Sequence, residues 1–189
     1  LVCVPGLPAG LHEAHRRWGR LPWAETVRPV AALARRGYEI LPKTRQLYGE
    51  QLAKLRKPFA REAAAIYLPG GELPAIGERQ ANPDLATTLD LLAAHGRDGF
   101  YRGQVADAIV AASEKAGGWL TREDFADYQP RLVETIGVDV GSRRVVGLPP
   151  PAYGAALIFA TLRAFEAQPL TPPLRTAANL DAVGRAFLR

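Results

Sequence analysis

The sequence of 189 residues has few of the side chains that bind metals or form covalent cross-links. It contains one cysteine, three histidines and no methionine. The single thiol, Cys3, excludes an intrachain disulfide and a thiolate metal cluster, and we expect it to be a small buried apolar group. His12 and His15 are three residues apart on a predicted helix, but no third ligand follows at a matching spacing. We therefore expect no metal site and no cofactor.

Long apolar runs are also missing. No segment approaches the roughly 18 apolar residues that a membrane-spanning helix needs, and no charged start followed by an apolar stretch marks a signal peptide. Because the sequence begins at Leu1 and has no methionine, we expect it to be a piece of a longer gene product. Its compartment therefore cannot be read from its first residues.

The composition is that of a globular protein, with 48% hydrophobic and 23% charged residues. The net charge of +5 comes mainly from arginine, since lysine occurs at only four positions. The arginine doublets at 16–17, 35–36 and 143–144 lack interleaved aromatic residues, which favours a solvated surface over a nucleic-acid groove. We expect neither nucleic acid nor a membrane among the partners.

Apolar residues recur at helical spacing along most of the chain. The predicted helices cover residues 8–19, 22–36, 43–56, 59–66, 83–96, 104–116, 121–128, 154–166 and 180–187. Pro29 is expected to interrupt or kink the second helix, and Thr121 with Asp124 forms a capping box at the start of a short one. Residues 38–41 are predicted to be an extended linker, and residues 68–77 an exposed loop.

The pattern changes after residue 132. Alternating residues predict two strands between 133 and 148, joined by a turn at Gly141-Ser142. Pro149–Pro151 should be an extended polyproline segment, and residues 169–173 a linker. These elements predict a mainly helical α+β fold with a small antiparallel hairpin.

Three motifs in the same order resemble the γ-glutamyltranspeptidase family. The first begins at Val4-Pro5-Gly6 and continues to Pro22-Trp23, and the last is Pro149–Pro151 followed by Gly154. Between them, Phe100-Tyr101-Arg102-Gly103 leads to the segment from Gly117 to Tyr128, which reads GGWLTREDFADY. The resemblance covers roughly residues 2–167.

This resemblance implies an αββα sandwich of the N-terminal-nucleophile hydrolases, of which residues 1–189 would be a partial large-subunit region with no independent second domain. It implies γ-glutamyl transfer from, or hydrolysis of, glutathione-like amides through an N-terminal threonine released by self-cleavage. The small subunit of the same precursor and a γ-glutamyl substrate would then be the partners. Family members are often exported.

We identify no catalytic residue in this chain. In the family, the nucleophile begins a Thr-Thr-His motif, whereas here Thr87-Thr88 is followed by Leu89 inside a predicted helix, which favours a structural role. The carboxylates Glu123 and Asp124 lie at a helix start, where capping is favoured over acid–base chemistry.

Three aromatic residues could line a ligand site, although at their spacing they more often anchor loops to a core. They are Tyr101, Trp119 and Tyr128. The substrate-binding residues stay unknown.

One departure from the family pattern keeps other hypotheses open. Family members commonly continue the triple proline with Ser-Ser, whereas this chain has Ala152-Tyr153. If the turn tolerates variation, nothing follows from this change. If those hydroxyls cap the next helix, its start should move toward Ala155. A related acylase or amidase, or a non-catalytic helical interaction module, therefore remains an alternative.

The apolar faces of helices 104–116 and 154–166 are expected to be uncovered, which predicts self-association of the chain.

Overall fold

The computed structural model describes residues 3–167 and 176–187. The chain forms two compact units, residues 1–130 and 131–189. The described residues are mainly helical with short antiparallel strand pairs, so the predicted α+β class is confirmed. The linker predicted at 169–173 lies outside the described residues.

The first unit is built from helices and one short strand pair. Its helices are α1 Leu7–Trp18, α2 Trp23–Arg36, α3 Pro42–Leu55, α4 Arg61–Tyr67, α5 Pro83–His95, α6 Asp98–Tyr101, α7 Gln104–Lys115 and α8 Arg122–Asp127. The strands are β1 Tyr38–Glu39 and β2 Arg79–Gln80, and 3₁₀ turns lie at Pro58–Ala60 and Pro69–Gly71. The seven helices predicted up to residue 128 are confirmed, whereas α6 was not predicted.

Helices α2 and α5 pack along their lengths. Val27 of α2 is buried against Leu92 and Ala93 of α5, and the indole Nε1 of Trp23 donates a 2.6 Å hydrogen bond to the Leu92 carbonyl. Helix α2 continues through Pro29, so the expected interruption is wrong. Pro29 and the residue four positions before it are exposed, so water can reach the carbonyl that the proline leaves without a partner.

A second core forms around α6. Ala9, Tyr101, Ala106 and Phe125 are buried together, and Ile109 and Val110 of α7 pack against them. The side chains of α6 and α8 thus cover part of the apolar face of α7, whereas Ala112 on the same face is exposed. The expectation that this face is uncovered is therefore wrong only for the part around Ala106.

Residues 38–41 are not a simple linker. Tyr38 pairs with Gln80 and Glu39 with Arg79 in an antiparallel ladder, and Ile40 is fully buried. The loop at 68–77 is mostly exposed, as predicted, and the short strand β2 follows it. Two side chains of that loop, Leu68 and Pro74, are buried.

The second unit contains the predicted hairpin. Strands β3 Ile136–Val140 and β4 Arg143–Gly147 pair antiparallel, with Val138 opposite Val145. Helix α9 Tyr153–Ala167 packs on this hairpin, and α10 Ala177–Phe187 follows.

The expectation of a polyproline segment before α9 is wrong. Residues 149–152 form a turn closed by a 3.2 Å hydrogen bond from the Ala152 N–H to the Pro149 carbonyl. A polyproline helix has no such internal bond. Helix α9 begins at Tyr153, one residue before the predicted start, which agrees with the alternative in which the turn tolerates Ala152-Tyr153.

A glycine at the contact between α5 and α6 provides a test of this packing. A Cβ on buried Gly99 would lie 2.1 Å from the Leu91 carbonyl oxygen, so Gly99→Ala should lower the free energy of unfolding by about 1–3 kcal/mol. The matched control is Gly10→Ala in α1, where a Cβ meets nothing within 4 Å and a gain of up to about 1 kcal/mol is expected. Urea unfolding measures both, and equal stability of the two variants would contradict this packing.

Candidate functional site

The hydroxyl of Tyr101 joins two distant parts of the first unit. It donates a 2.5 Å hydrogen bond to the Pro5 carbonyl and accepts a 3.2 Å bond from the Ala9 N–H. Ala9 lies in the first turn of α1, where backbone N–H groups have no partner within the helix. Gly6 at the N-cap provides no side chain. Tyr101 therefore caps α1 from 92 residues away.

Arg97 closes the other side of the same cluster. Its guanidinium carbon lies 4.9 Å from the centroid of the Tyr101 ring. Its Nη2 donates to the carbonyls of Ala126 at 2.9 Å and Tyr128 at 2.5 Å, at the C-terminal end of α8. A cation at this end of a helix satisfies orphan carbonyls and complements the helix dipole. Arg97 thus fixes α8 against α6.

Tyr128 completes the cluster, which we call the Tyr101 cluster: Arg97, Tyr101, Phe125, Tyr128 and the Pro5-Gly6 backbone. The rings of Tyr101 and Tyr128 stack with centroids 5.5 Å apart and planes at 5°. A Cβ on Gly6 would lie 2.3 Å from the Tyr128 hydroxyl oxygen. The glycine of the Val-Pro-Gly motif is therefore needed for this close approach.

The electrostatics of the cluster favour a structural role. Burial raises the pKa of the Tyr101 phenol above its ordinary value, so the hydroxyl stays protonated and continues to donate to Pro5. A phenol that keeps its proton does not act as a base. The cluster can position backbone segments, but its contacts contain no activated nucleophile.

Of the three candidate aromatic residues, the structure brings two together. Tyr101 is 1% exposed and stacked on Tyr128, whereas Trp119 is 90% exposed. A cleft of about 520 Å³ lies beside Trp119 and is lined by Asp107, Glu114 and Glu123 among others. Asp107 is engaged there in a 2.6 Å ion pair with Arg122.

The capping box at α8 is confirmed. The backbone N–H of Asp124 donates a 3.2 Å hydrogen bond to the Thr121 hydroxyl, and the backbone N–H of Thr121 donates a 2.9 Å hydrogen bond to the Asp124 carboxylate. These bonds from Thr121 lower the pKa of Asp124. The carboxylate is therefore an ionised acceptor, as a cap requires, and Glu123 is an exposed neighbour in the same turn.

The two threonines lie within α5. The Thr87 and Thr88 hydroxyls donate to the carbonyls of Pro83 and Asp84, each at 3.1 Å. Such bonds to the preceding turn are common for threonine in helices.

The histidines pack on an aromatic ring. His12 and His15 approach Trp23 edge-on, with ring centroids 5.0 Å and 5.2 Å away. Within residues 3–167 and 176–187, no three His, Cys, Asp or Glu side chains come together in a way that could hold a metal ion.

Cys3 is exposed, so the expectation of a buried thiol is wrong. It lies before α1, where no helix covers it.

Arg97 is the residue of the cluster that the sequence analysis missed. The available signal was its spacing from Tyr101, because residues four apart on a helical turn can place a cation over a ring. Its carbonyl partners, Ala126 and Tyr128, could not be anticipated, since they belong to a segment about 30 residues later. None of the helices in the described part of the chain is long and apolar enough to cross a bilayer.

Comparison with known proteins identifies the family. The family model of γ-glutamyltranspeptidase matches residues 1–182. Glutathione hydrolase 3 of Arabidopsis thaliana is 36% identical over 152 residues, which are 80% of this chain and 23% of that protein. The human glutathione hydrolase 5 proenzyme is 37% identical over 165 residues, covering 84% of this chain and 27% of its own length. The chain belongs to the γ-glutamyltranspeptidase family.

Solved structures agree with this assignment. The γ-glutamyltranspeptidase of Helicobacter pylori superposes with a TM-score of 0.86 at 25% identity, covering 97% of this chain and 53% of that one. Cephalosporin acylase from Bacillus halodurans gives a TM-score of 0.83 at 29% identity, covering 97% of this chain and 35% of that one. The chain spans about a quarter of the length of the curated relatives named above.

Replacing Tyr101 with phenylalanine tests the role of its hydroxyl. Tyr101→Phe removes one oxygen and leaves the buried Ala9 N–H and the Pro5 carbonyl without this partner, so the free energy of unfolding should fall by about 1–3 kcal/mol. The control is Tyr153→Phe, because that side chain is exposed and a change within about 0.5 kcal/mol is expected. Chemical denaturation of both variants measures these changes. A denaturation midpoint of Tyr101→Phe equal to that of the parent would contradict the capping role.

The cap at α8 should depend on pH. Because the pKa of Asp124 is lowered from 3.8 in the folded chain, its stabilisation is fully present above the unfolded value and is lost as pH falls through the folded one. Asp124→Asn should be less stable than the parent near neutral pH, and the gap should close at acidic pH. Urea unfolding across a pH series measures the gap.

The Thr121→Ala variant is the matched control, since it removes the hydroxyl that bonds to Asp124. In this background the Asp124→Asn gap should be smaller and less dependent on pH. A gap of constant size down to the acid unfolding transition would show that the carboxylate does not act through ionised capping.

Proposed function

We propose that this chain is the helical part of the large subunit of an enzyme that transfers or hydrolyses γ-glutamyl groups of glutathione-like amides. The observation that carries the proposal is the family match over residues 1–182, together with the close superposition on a γ-glutamyltranspeptidase. In this proposal both compact units belong to one large-subunit region.

The chain contributes a scaffold rather than the reacting groups. A γ-glutamyl transferase needs an activated nucleophile and a group that holds the glutamate head. The sequence has no Thr-Thr-His motif. The hydroxyls of Thr87 and Thr88 are engaged within α5, and Asp124 is a cap. These contacts support an absence of catalytic residues, with the nucleophilic threonine supplied elsewhere in the parent protein.

The partner in this proposal is the small subunit released from the same precursor. Family membership implies it, and the word proenzyme in the name of a human relative supports a precursor that is processed. A γ-glutamyl substrate would bind to the assembled enzyme.

A related acylase is the second candidate. The likeness to a cephalosporin acylase favours it, as does the replacement of the family's Ser-Ser by Ala152-Tyr153 after the triple proline. Tyr153 is exposed at the start of α9, so it can present a phenol where the family presents hydroxyls. Membership of an enzyme family speaks against the third hypothesis, a non-catalytic interaction module.

Activity measurements on the chain and on its parent protein test the proposal. The 189-residue chain should release no product from a γ-glutamyl anilide, because it has no activated nucleophile. The processed parent should hydrolyse that anilide and should prefer it to anilides of other acyl groups. Release by the chain above a heat-inactivated control would overturn the scaffold role, and a preference for another acyl anilide would favour the acylase.

A further inference from the structure

The corner between α3 and α4 concentrates positive charge. Four cations occur within eight residues, and all of their side chains are exposed: Lys54, Arg56, Lys57 and Arg61. Lys54 lies in the last turn of α3 and Arg61 begins α4, so the four surround the connection between these two packed helices. We call residues 54–61 the basic corner.

An apolar side chain projects from the middle of the basic corner. Phe59 is 84% exposed, although burial of a phenylalanine side chain is worth about 1.5–3 kcal/mol. It lies in the 3₁₀ turn Pro58–Ala60, where hydrogen bonds run from the Lys57 N–H to the Lys54 carbonyl at 3.0 Å and from the Ala60 N–H to the Lys57 carbonyl at 2.9 Å. Because these bonds and Pro58 fix the backbone, the ring is presented by an ordered turn.

Nearby carboxylates neutralise only part of this charge. Glu72 approaches Arg56 at 3.6 Å with both side chains largely exposed, and Glu62 follows Arg61 in the sequence. Glu50, one turn before Lys54, accepts a hydrogen bond from Gln46. In the described part of the chain, no carboxylate lies within 4.0 Å of the cations of Lys54, Lys57 or Arg61.

We propose that the basic corner is a docking surface for an anionic phospholipid bilayer. In this contact the cations bind lipid phosphates, and the Phe59 ring enters the boundary between headgroups and acyl chains. Basic side chains around an inserted aromatic ring are typical of interfacial membrane contacts. The expectation of no membrane partner rested on the lack of a long apolar run, and a peripheral contact needs none.

The single aromatic side chain of the basic corner favours lipid over nucleic acid as the partner. Proteins that bind single strands line a charged groove with several aromatic platforms on which successive bases stack. Here one aromatic side chain stands among the cations, and the neighbouring Ala60 and Leu55 are partly buried. A single projecting ring fits an interface that accepts it between mobile headgroups.

Vesicle co-sedimentation of the full 189-residue chain tests the proposal. At about 0.1 M salt, the chain should bind vesicles of phosphatidylcholine and phosphatidylglycerol at roughly 3:1 and leave pure phosphatidylcholine vesicles unbound. Lys57→Glu/Arg61→Glu should weaken binding about tenfold or more, since two attractive charges become repulsive. Phe59→Ser should also weaken binding, and its effect should persist at higher salt because it is not electrostatic.

The matched control is Arg20→Glu/Arg28→Glu, which changes the net charge equally at two exposed positions outside the basic corner. It should weaken binding by no more than about twofold, because these two side chains are not part of the basic corner and the screened charge of the whole chain contributes little at this salt concentration. Equal losses in the two double variants would overturn the proposal in favour of a net-charge effect. Binding to duplex DNA without binding to vesicles would overturn it in favour of nucleic acid.

A spectroscopic measurement covers the case in which charge reversal disturbs folding. In the Phe59→Trp variant, adding anionic vesicles should shift the emission to shorter wavelength, and brominated lipid should quench it more than in the parent chain. Helical circular dichroism confirms that the variant is folded. Emission unchanged by vesicles would overturn the proposal.

Discussion

The hydrogen bonds of one buried hydroxyl hold the first unit together. Tyr101 donates to the Pro5 carbonyl and accepts from the Ala9 N–H, so the entry to α1 is fixed to a helix 92 residues later. Either backbone group would cost about 1–3 kcal/mol if buried without a partner. That cost applies to any compact arrangement of α1 that buries these groups away from the hydroxyl, so one side chain disfavours alternative positions of a whole helix.

Several other features are needed to place that hydroxyl. Gly99 allows α6 to approach the α5 backbone, and Arg97 contacts the Tyr101 ring while it binds the end of α8. Phe100 packs against both buried clusters, the one around Tyr101 and the one between α2 and α5. The aromatic-Gly motif therefore joins two cores. Its residues share one structural task, and none of its contacts requires a substrate.

Features encoded by nearby residues could be predicted from the sequence. Helix α7, the hairpin β3–β4 and the capping box of Thr121 each depend on residues a few positions apart. The pairing of Tyr38 with Gln80 was missed because a two-residue strand has no detectable period, and its partner is distant. The carbonyl partners of Arg97 were missed for the same reason. A site built from backbone groups leaves no residue-type signature in the sequence.

Because the shared motifs form structural contacts, the family can be recognised in a chain with no identified catalytic residue. The Val-Pro-Gly turn needs its glycine because the Tyr128 hydroxyl lies against it, and Tyr128 in turn ends the second motif. The two motifs are thus two sides of one contact. A residue larger than glycine at position 6 would require the Tyr128 side chain to move, so the two motifs constrain each other. Outside these two motifs, the chain departs from the family pattern at Ala152-Tyr153, and helix α9 still forms there.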